Sequence, residues 1–169
     1  MSKIVVTLMA DDRPGLVNAV SELVVSHGGN WLESKMADLG GVFTGLILID
    51  VPDANKAALS AALAAFGQDD IAVSLRDARE QPGAQGDEFR LSIEGADHPG
   101  IVNEITERLR SRAINIAEME TDHQPAAMSG QPMFSASILA ILPSGADKAA
   151  LEAELEQAAE ELMVDISFR

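Results

Sequence analysis

Residues 12–18 read Asp-Arg-Pro-Gly-Leu-Val-Asn, and residues 97–103, 85 positions later, read Asp-His-Pro-Gly-Ile-Val-Asn. The same spacing continues through further polar positions, in the pairs Glu22 and Glu107, Ser26 and Ser111, Asn30 and Asn115, and Glu33 and Glu118. A repeat of turn and polar residues, beyond an apolar rhythm, indicates two copies of one folding unit as long as a small domain. It predicts a first domain over 1–77, a linker over 78–87 and a second domain over 88–169.

The composition excludes several classes of protein. With 169 residues and 47% hydrophobic content, the chain has room for two small cores, which we expect to be supported by one another or by a second chain in a homo-oligomer. Cysteine is absent, so the sequence offers neither disulfides nor thiolate metal sites. We find no secretory signal and no apolar run near the roughly 18 residues of a membrane span. We therefore expect a cytoplasmic protein without a membrane partner.

The charge balance argues against direct contact with nucleic acid. The net charge is −15, from 27 acidic and 12 basic residues. Nucleic-acid binding requires clustered Lys and Arg to displace counterions from phosphates, and this sequence has no basic stripe. We expect no direct nucleic-acid partner.

The hydrophobic pattern of the first copy predicts the element order βαββαβ. Strands are predicted over 3–10, 30–39, 42–51 and 71–76, and helices over 14–27 and 52–66. Five apolar residues recur at helical spacing in the first helix, namely Leu16, Val17, Val20, Leu23 and Val24. Gly40-Gly41, between the second and third strands, is a strong two-residue hairpin signal.

The second copy repeats this order. Strands are predicted over 88–95, 115–122, 133–142 and 164–168, and helices over 99–112 and 146–161. Phe43 aligns with Phe134 at an offset of 91, so the second hairpin loop, around 123–132, is about six residues longer. The order is that of a ferredoxin-like α+β fold, a four-stranded antiparallel sheet with two helices on one face. We expect the two copies to pair side by side, because pairing removes an exposed edge from each sheet.

The repeated turn has the physical properties of an anion-binding site. It lies between a strand and a helix N-terminus, where the first backbone N–H groups lack intrahelical partners and the helix dipole is positive. Gly15 and Gly100 permit close approach of a ligand, such as a carboxylate. Asn18 and Asn103 follow one helical turn later, and we expect the strand-start residues Asn30 and Asn115 to face the same edge of the unit.

A purely structural interpretation of the same residues stays open. Asp12 and Asp97 are good helix-capping residues, with Pro and Gly easing a tight corner. The asparagines equally suit solvent-facing or turn positions. The functional interpretation gains weight because three polar positions keep identical spacing in both copies.

Each Asp-x-Pro-Gly motif, placed after an apolar strand and followed some 15 residues later by Asn, resembles the ACT domain. The whole chain resembles the two-ACT regulators of the glycine cleavage system repressor family. The resemblance implies binding of an amino acid or similar small metabolite where two ACT units meet, and action through a protein partner such as a transcription factor. Carried over by position, the ligand-binding residues are Asp12, Arg13, Pro14, Gly15, Leu16, Asn18 and Asn30, with Asp97, His98, Pro99, Gly100, Ile101, Asn103 and Asn115. Because Arg13 is replaced by His98, the two turns need not bind alike, and one of them can be vacant.

Other chemistry finds little support in the sequence. The three histidines have no metal-site spacing, no two carboxylates stand out as an acid–base pair, and no phosphate loop or nucleophile elbow is present. We therefore predict no catalytic residues, no metal and no cofactor. Two alternatives remain: a ligand-free dimerisation module, in which the turns only cap helices, and a small enzyme on the ferredoxin-like scaffold.

Overall fold

A computed structural model of the protein describes residues 1–67, 70–79, 86–125 and 130–169. The chain divides into two compact units, Met1–Glu80 and Gln81–Arg169, which we call the first and second unit. Within the described residues, each unit has four strands and two helices in the order βαββαβ. The predicted tandem ferredoxin-like α+β fold is confirmed.

The first unit forms a four-stranded antiparallel sheet with the strand order β2-β3-β1-β4. Its elements are β1 (Ser2–Asp11), α1 (Leu16–Ser26), β2 (Asn30–Leu39), β3 (Val42–Val51), α2 (Asp53–Phe66) and β4 (Ile71–Asp77). Gly40 and Gly41 have φ values of 63° and 82°, which a tight type I′ hairpin requires at both central residues. The hairpin glycines therefore set the ends of β2 and β3 at the predicted residues.

The second unit repeats the arrangement with the strand order β6-β7-β5-β8. Its elements are β5 (Gly86–Ala96), α3 (Ile101–Ser111), β6 (Asn115–Pro125), β7 (Pro132–Pro143), α4 (Lys148–Leu162) and β8 (Val164–Phe168). The extra residues of the second hairpin extend the pairing of β6 and β7, which continues to Pro125 opposite Pro132. His123, predicted to lie in a loop, therefore lies in β6, while 126–129 fall outside the described residues.

Each core lies between one sheet face and the two helices of the same unit. Alternate residues of β1 are buried, as expected of a strand with one face covered: Ile4, Val6, Leu8 and Ala10. Burial of a side chain of this size contributes about 1.5–3 kcal/mol. Val17, which belongs to the apolar stripe predicted for the first helix, does not point into the core, since it is 40% exposed; its counterpart Val102 is 41% exposed. Leu16 and Ile101, one position earlier, are buried, so Val17 and Val102 lie on the flank of each helix beside its buried stripe.

The junction between the units is described only in part. Gly86 and Asp87, predicted as linker, pair with Pro143 and Leu142 and so belong to β5. Residues 80–85 lie outside the described residues, so the linker itself stays a prediction, as does side-by-side pairing of the copies. No helix in the described ranges is long and apolar enough to cross a membrane.

Candidate ligand-binding turns

Both repeated turns end in a glycine that caps the following helix. Gly15 and Gly100 are the N-cap residues of α1 and α3, with φ values of 94° and 109° that L side chains rarely adopt. Their carbonyl oxygens accept the first helical hydrogen bonds, from Ala19 N and Glu104 N, each over 2.9 Å. Among the described residues, no side chain caps either helix, so Asp12 and Asp97 are not helix caps. The first N–H groups of both helices thus lack a side-chain acceptor.

The space in front of each turn is open. A Cβ atom built on Gly15 or Gly100 would meet nothing within 4 Å in the described structure. At the second turn, a hollow of about 450 Å³ is lined by Asp97, His98, Gly100, Ile101, Val102, Asn103, Thr106 and Phe134. The prediction missed Val102, Thr106 and Phe134 as lining residues. Only Val102 carries a signal of its own, its exposure beside the turn, and that signal needs the structure to be seen.

The backbone before each turn is anchored to the neighbouring hairpin. Asp12 N donates to Gly41 O over 3.3 Å, and Asp97 N donates to Pro132 O over 2.9 Å. In the second unit, His123 Nε2 also lies 3.4 Å from the Asp97 carboxylate. The longer hairpin therefore reaches the second turn through two contacts, the backbone hydrogen bond from Asp97 to Pro132 and the side-chain contact between His123 and Asp97.

Arg13 and His98 differ chemically yet reach the same region of their units. Arg13 Nη1 lies 3.1 Å from Asp70 Oδ2, directly before β4. His98 Nε2 lies 2.7 Å from Leu162 O, at the end of α4 before β8. A carbonyl oxygen only accepts, so the imidazole donates this hydrogen bond. The bond favours the protonated ring and raises the pKa of His98 above its ordinary value.

Asn18 and Asn103 are in different states. Asn18 Nδ2 donates to Glu22 Oε1 over 2.7 Å, so one N–H of this amide already has a partner within the protein. The equivalent carboxylate, Glu107, instead accepts from Arg110 Nε over 2.9 Å. Among the residues that the structure describes, the Asn103 side chain has no hydrogen-bond partner. The cause is Arg110, which stands where the first unit has Val25.

The expectation that Asn30 and Asn115 face the same edge as the turns of their own units is wrong. Asn30 pairs with Asp50, which pairs with Lys3 at the start of β1, whereas the turn follows Asp11 at its end. The path along β1 from Lys3 to Asp11, at about 3.3 Å per residue, separates Asn30 from the turn by roughly 26 Å. The helix runs back along the sheet, so the strand that follows it begins at the far end. Asn115, opposite Ile141, is placed equivalently.

Metal or acid–base chemistry has little geometric support. In the ranges 1–67, 70–79, 86–125 and 130–169, no three His, Cys, Asp or Glu side chains are grouped so as to hold a metal ion. The pKa of Asp53 is lowered, chiefly by a hydrogen bond from Ser2 and then by the N-terminal ammonium group. That carboxylate is exposed and lies at the start of α2, away from both turns.

Comparison with known proteins agrees with this architecture. A profile of the ACT domain matches residues 2–72, which is most of the first unit. The glycine cleavage system transcriptional repressor of Escherichia coli (strain K12) is 28% identical over 152 residues, covering 88% of this chain and 80% of the relative. The protein of that name from Shigella flexneri matches to the same extent.

Two crystal structures share the fold over nearly the whole chain. A protein of unknown function from Galdieria sulphuraria superposes with a TM-score of 0.83 at 28% identity, covering 99% of this chain and 97% of its own. A candidate glycine cleavage system transcriptional repressor superposes with a TM-score of 0.71 at 25% identity, covering 99% and 96%. The first unit is therefore similar to the ACT domain, and the chain as a whole is similar to the glycine cleavage system transcriptional repressors.

Proposed function

We propose that the protein is a non-enzymatic regulator that binds a small amino acid or similar metabolite and modulates transcription through a protein partner. The observation that carries the proposal is the uncapped start of α3 beside the unpartnered amide of Asn103, in an open hollow. The likeness to relatives named as transcriptional repressors supports the regulatory role. The net charge of −15 favours a protein partner over direct contact with nucleic acid.

The chemistry of the second turn suits an amino-acid carboxylate. The N–H groups at the start of α3 and the positive end of its dipole favour an anion. Asn103 offers both a donor and an acceptor for the remaining polar groups of the ligand. Val102 and Phe134 supply apolar surface within the same hollow, which matches a ligand with a small side chain.

The second turn is the stronger binding site of the two. The Asn18 amide already donates one N–H to Glu22 over 2.7 Å, which leaves its second N–H and its carbonyl oxygen, whereas the Asn103 amide has all of these groups available. A polar group that is already satisfied contributes less to affinity, because its first partner must be given up. The first turn accordingly binds the same ligand more weakly.

Asn30 and Asn115 can take part only from another unit. Each lies roughly 26 Å, at about 3.3 Å per strand residue, from the turn of its own unit, which exceeds the span of an amino acid. A ligand that contacts both a turn and a strand-start asparagine must therefore receive the asparagine from a second ACT unit. A role for these asparagines therefore requires the predicted pairing of units, within one chain or within a homo-oligomer.

A thermal-shift screen against the common amino acids, followed by calorimetric titration, tests the proposal. A ligand that binds only the folded state raises the melting temperature. We expect Asn103→Ala to abolish most of the shift, whereas the matched variant Asn18→Ala retains it. An equal loss in both variants would contradict the assignment to the second turn, and the absence of any shift would favour a ligand-free dimerisation module.

A further inference from the structure

The outer face of the first sheet, turned away from α1 and α2, carries balanced charge in an otherwise acidic chain. Ile4, Val6 and Leu8 are buried against the helices, so the residues that alternate with them point outward. The outward residues of β1–β4 include three bases and three acids, namely Lys3, Lys35, Arg76, Asp11, Glu33 and Asp50. We call this side of β1–β4 the neutral face. Because the whole chain has a net charge of −15, a second copy of it meets little repulsion at such a surface.

The centre of the neutral face is apolar and open to solvent. Val5 of β1 lies opposite Leu48 of β3, and both side chains are partly exposed. In the next two rows of the sheet, Leu46 and Met9 are 50% and 51% exposed. Large apolar side chains that lie close together on a surface are typical of a site that another protein covers.

One row of the neutral face begins with an acid and ends with a base. Across the strands β2, β3, β1 and β4, this row reads Glu33, Leu48, Val5 and Arg76. Glu33 and Arg76 are exposed, and neither forms an ion pair within the part of the chain that the structure describes. Three strand spacings of about 4.8 Å separate them by roughly 14 Å, so they do not compensate each other.

A second row contains a carboxylate that the unit leaves without a partner. Asp50 lies between Asn30 of β2 and Lys3 of β1. Its Oδ1 atom is buried and has no hydrogen-bond partner among the described residues. Lys3, although directly opposite, forms no ion pair in the ranges that the structure describes. Unsatisfied buried polar atoms are rare in folded proteins, and Asp50 is only partly buried as a residue, so a cation from outside the chain can approach it.

We infer that the neutral face is a contact surface between two copies of this chain, related by a two-fold axis that runs along the strands between β1 and β3. A two-fold interface uses the same surface of both copies. This axis brings β1 of one copy over β3 of the other, and β2 over β4, row by row. Glu33 of one copy then faces Arg76 of the other, and Asp50 of one copy faces Lys3 of the other.

The remaining rows fit the same arrangement. Lys35 faces Ser74 of the other copy, and Asp11 faces Val42, so no two like charges meet. Packed sheets lie about 10 Å apart with their strands within roughly 30° of each other. The long side chains of Glu33 and Arg76, on the outermost strands, can follow the shift that this rotation produces.

The size of the neutral face indicates a weak, reversible dimer. Four strands about 4.8 Å apart, and eight steps of about 3.3 Å from Lys3 to Asp11, give a face of roughly 19 Å by 26 Å. Two copies together cover about 1,000 Å², which is near the lower limit for a specific interface. We therefore expect the dimer to dissociate on dilution.

The second sheet is not suited to the same pairing. One of its outward rows reads Asp122, Ser135, Glu94 and Asp165. The equivalent axis would bring Asp122 against Asp165 of the other copy, and these like charges repel. Arg90 and Arg169, which pair with each other on this sheet, lie two rows away, roughly 13 Å at about 6.7 Å per row. The interface is thus assigned to the first unit, and it does not depend on the proposed metabolite.

Sedimentation equilibrium of the full chain, without added amino acid, tests the inference over a range of protein concentrations. Arg76→Glu places like charges at both symmetry-related contacts, and we expect it to weaken the dimer about tenfold. The swap Glu33→Arg/Arg76→Glu restores opposite charges and should restore most of the affinity. Lys148→Glu is the matched control, because it makes the same change of net charge on an exposed residue of α4, and it should leave association nearly unchanged.

A chain without cysteine allows a second measurement that does not depend on charge. Thr7 lies beside the proposed axis, where a strand spacing of about 4.8 Å and a sheet spacing of about 10 Å place its two copies roughly 11 Å apart. A short bismaleimide should therefore crosslink two copies of Thr7→Cys, and it should not crosslink Lys148→Cys.

Several outcomes would overturn the inference. These are a parent chain that stays monomeric at every concentration, equal weakening by Arg76→Glu and Lys148→Glu, or a charge swap that fails to restore the dimer. If Arg76→Glu fails to fold, the crosslinking of Thr7→Cys decides: a crosslinked dimer supports the inference, and its absence refutes it. The amino-acid thermal shift, measured on the folded variants, reports separately on the proposed metabolite site.

Discussion

His98 Nε2 donates a 2.7 Å hydrogen bond to the carbonyl oxygen of Leu162, which joins the turn before α3 to the last residue of α4. In the first unit, Arg13 reaches Asp70 across the corresponding corner. Two different side chains thus hold equivalent turns against the region between the second helix and the last strand. The second turn differs in that its contact depends on a group that titrates near neutral pH.

The His98 contact makes the stability of the second unit depend on pH. The hydrogen bond to the Leu162 carbonyl raises the pKa of His98 above the ordinary value of about 6.5. A raised folded-state pKa stabilises the fold fully below the unfolded pKa, and this contribution is lost as the pH rises through the folded pKa. We expect the melting temperature of the parent chain to exceed that of His98→Gln most at about pH 5.5 and least at about pH 8.5. A difference that does not change with pH would contradict the role of protonation.

Side chains at Gly100 should block the proposed ligand at modest cost to the fold. Gly100→Leu directs its side chain into the open space before the amides of α3, and the positive φ costs about 1–2 kcal/mol. Gly145→Leu is the matched control, because Gly145 also has a positive φ and an unobstructed Cβ position but lies outside the turn. Both variants should lose similar stability by chemical denaturation, while only Gly100→Leu should lose the ligand-induced thermal shift. A full shift in Gly100→Leu would place the ligand elsewhere.

The pairing of Arg110 with Glu107 should control affinity at the second turn. Arg110→Val frees Glu107 to accept from Asn103, as Glu22 accepts from Asn18, and so should weaken amino-acid binding at the second unit. The exchange of one neutral-to-charged hydrogen bond corresponds to about 1–2 kcal/mol, or roughly tenfold in Kd. Calorimetric titration measures this change.

The reciprocal variant, Val25→Arg, provides the complementary test. Val25 is an exposed position, and its replacement should draw Glu22 away from Asn18 and strengthen binding at the first turn. If both substitutions leave affinity unchanged, the asparagine amides do not contact the ligand.

The separate cores predict separable losses of stability. Leu59→Ala should destabilise the first unit by about 2–5 kcal/mol, because Leu59 is fully buried and its removal leaves a cavity. Trp31, the only tryptophan in the chain, packs against the core of the first unit, so its fluorescence reports unfolding of that unit. Leu155→Ala, in the second core, should shift the circular dichroism transition but leave the Trp31 midpoint unchanged. A shifted Trp31 midpoint in Leu155→Ala would show that the cores unfold together.

The sequence was sufficient where local chemistry decides the structure. Gly40-Gly41 determined the hairpin, and with it the end of β2 and the start of β3, because few other residues tolerate two consecutive positive φ values. The stripe of the first helix located core residues apart from Val17, which lies on the helix flank next to the buried Leu16.

Tertiary geometry decided what the sequence could not. Asp12 and Asp97 have good capping chemistry, yet Gly15 and Gly100 occupy the N-cap positions. Asn30 was placed beside the turn by its repeated spacing, but spacing along a chain does not reveal which end of a sheet a strand begins at. The different states of Asn18 and Asn103 depend on Arg110, which lies outside the repeated motif and acts through its hydrogen bonds to Glu107.

The placement of each turn and its strand-start asparagine at opposite ends of one sheet has a thermodynamic consequence. If the strand-start asparagine that contacts the effector comes from another copy of the chain, effector binding and self-association are linked, and each strengthens the other by the same factor. Diluting the protein would then lower its apparent affinity for the effector. If the asparagine comes from the other half of the same chain, the apparent affinity would be the same at every dilution.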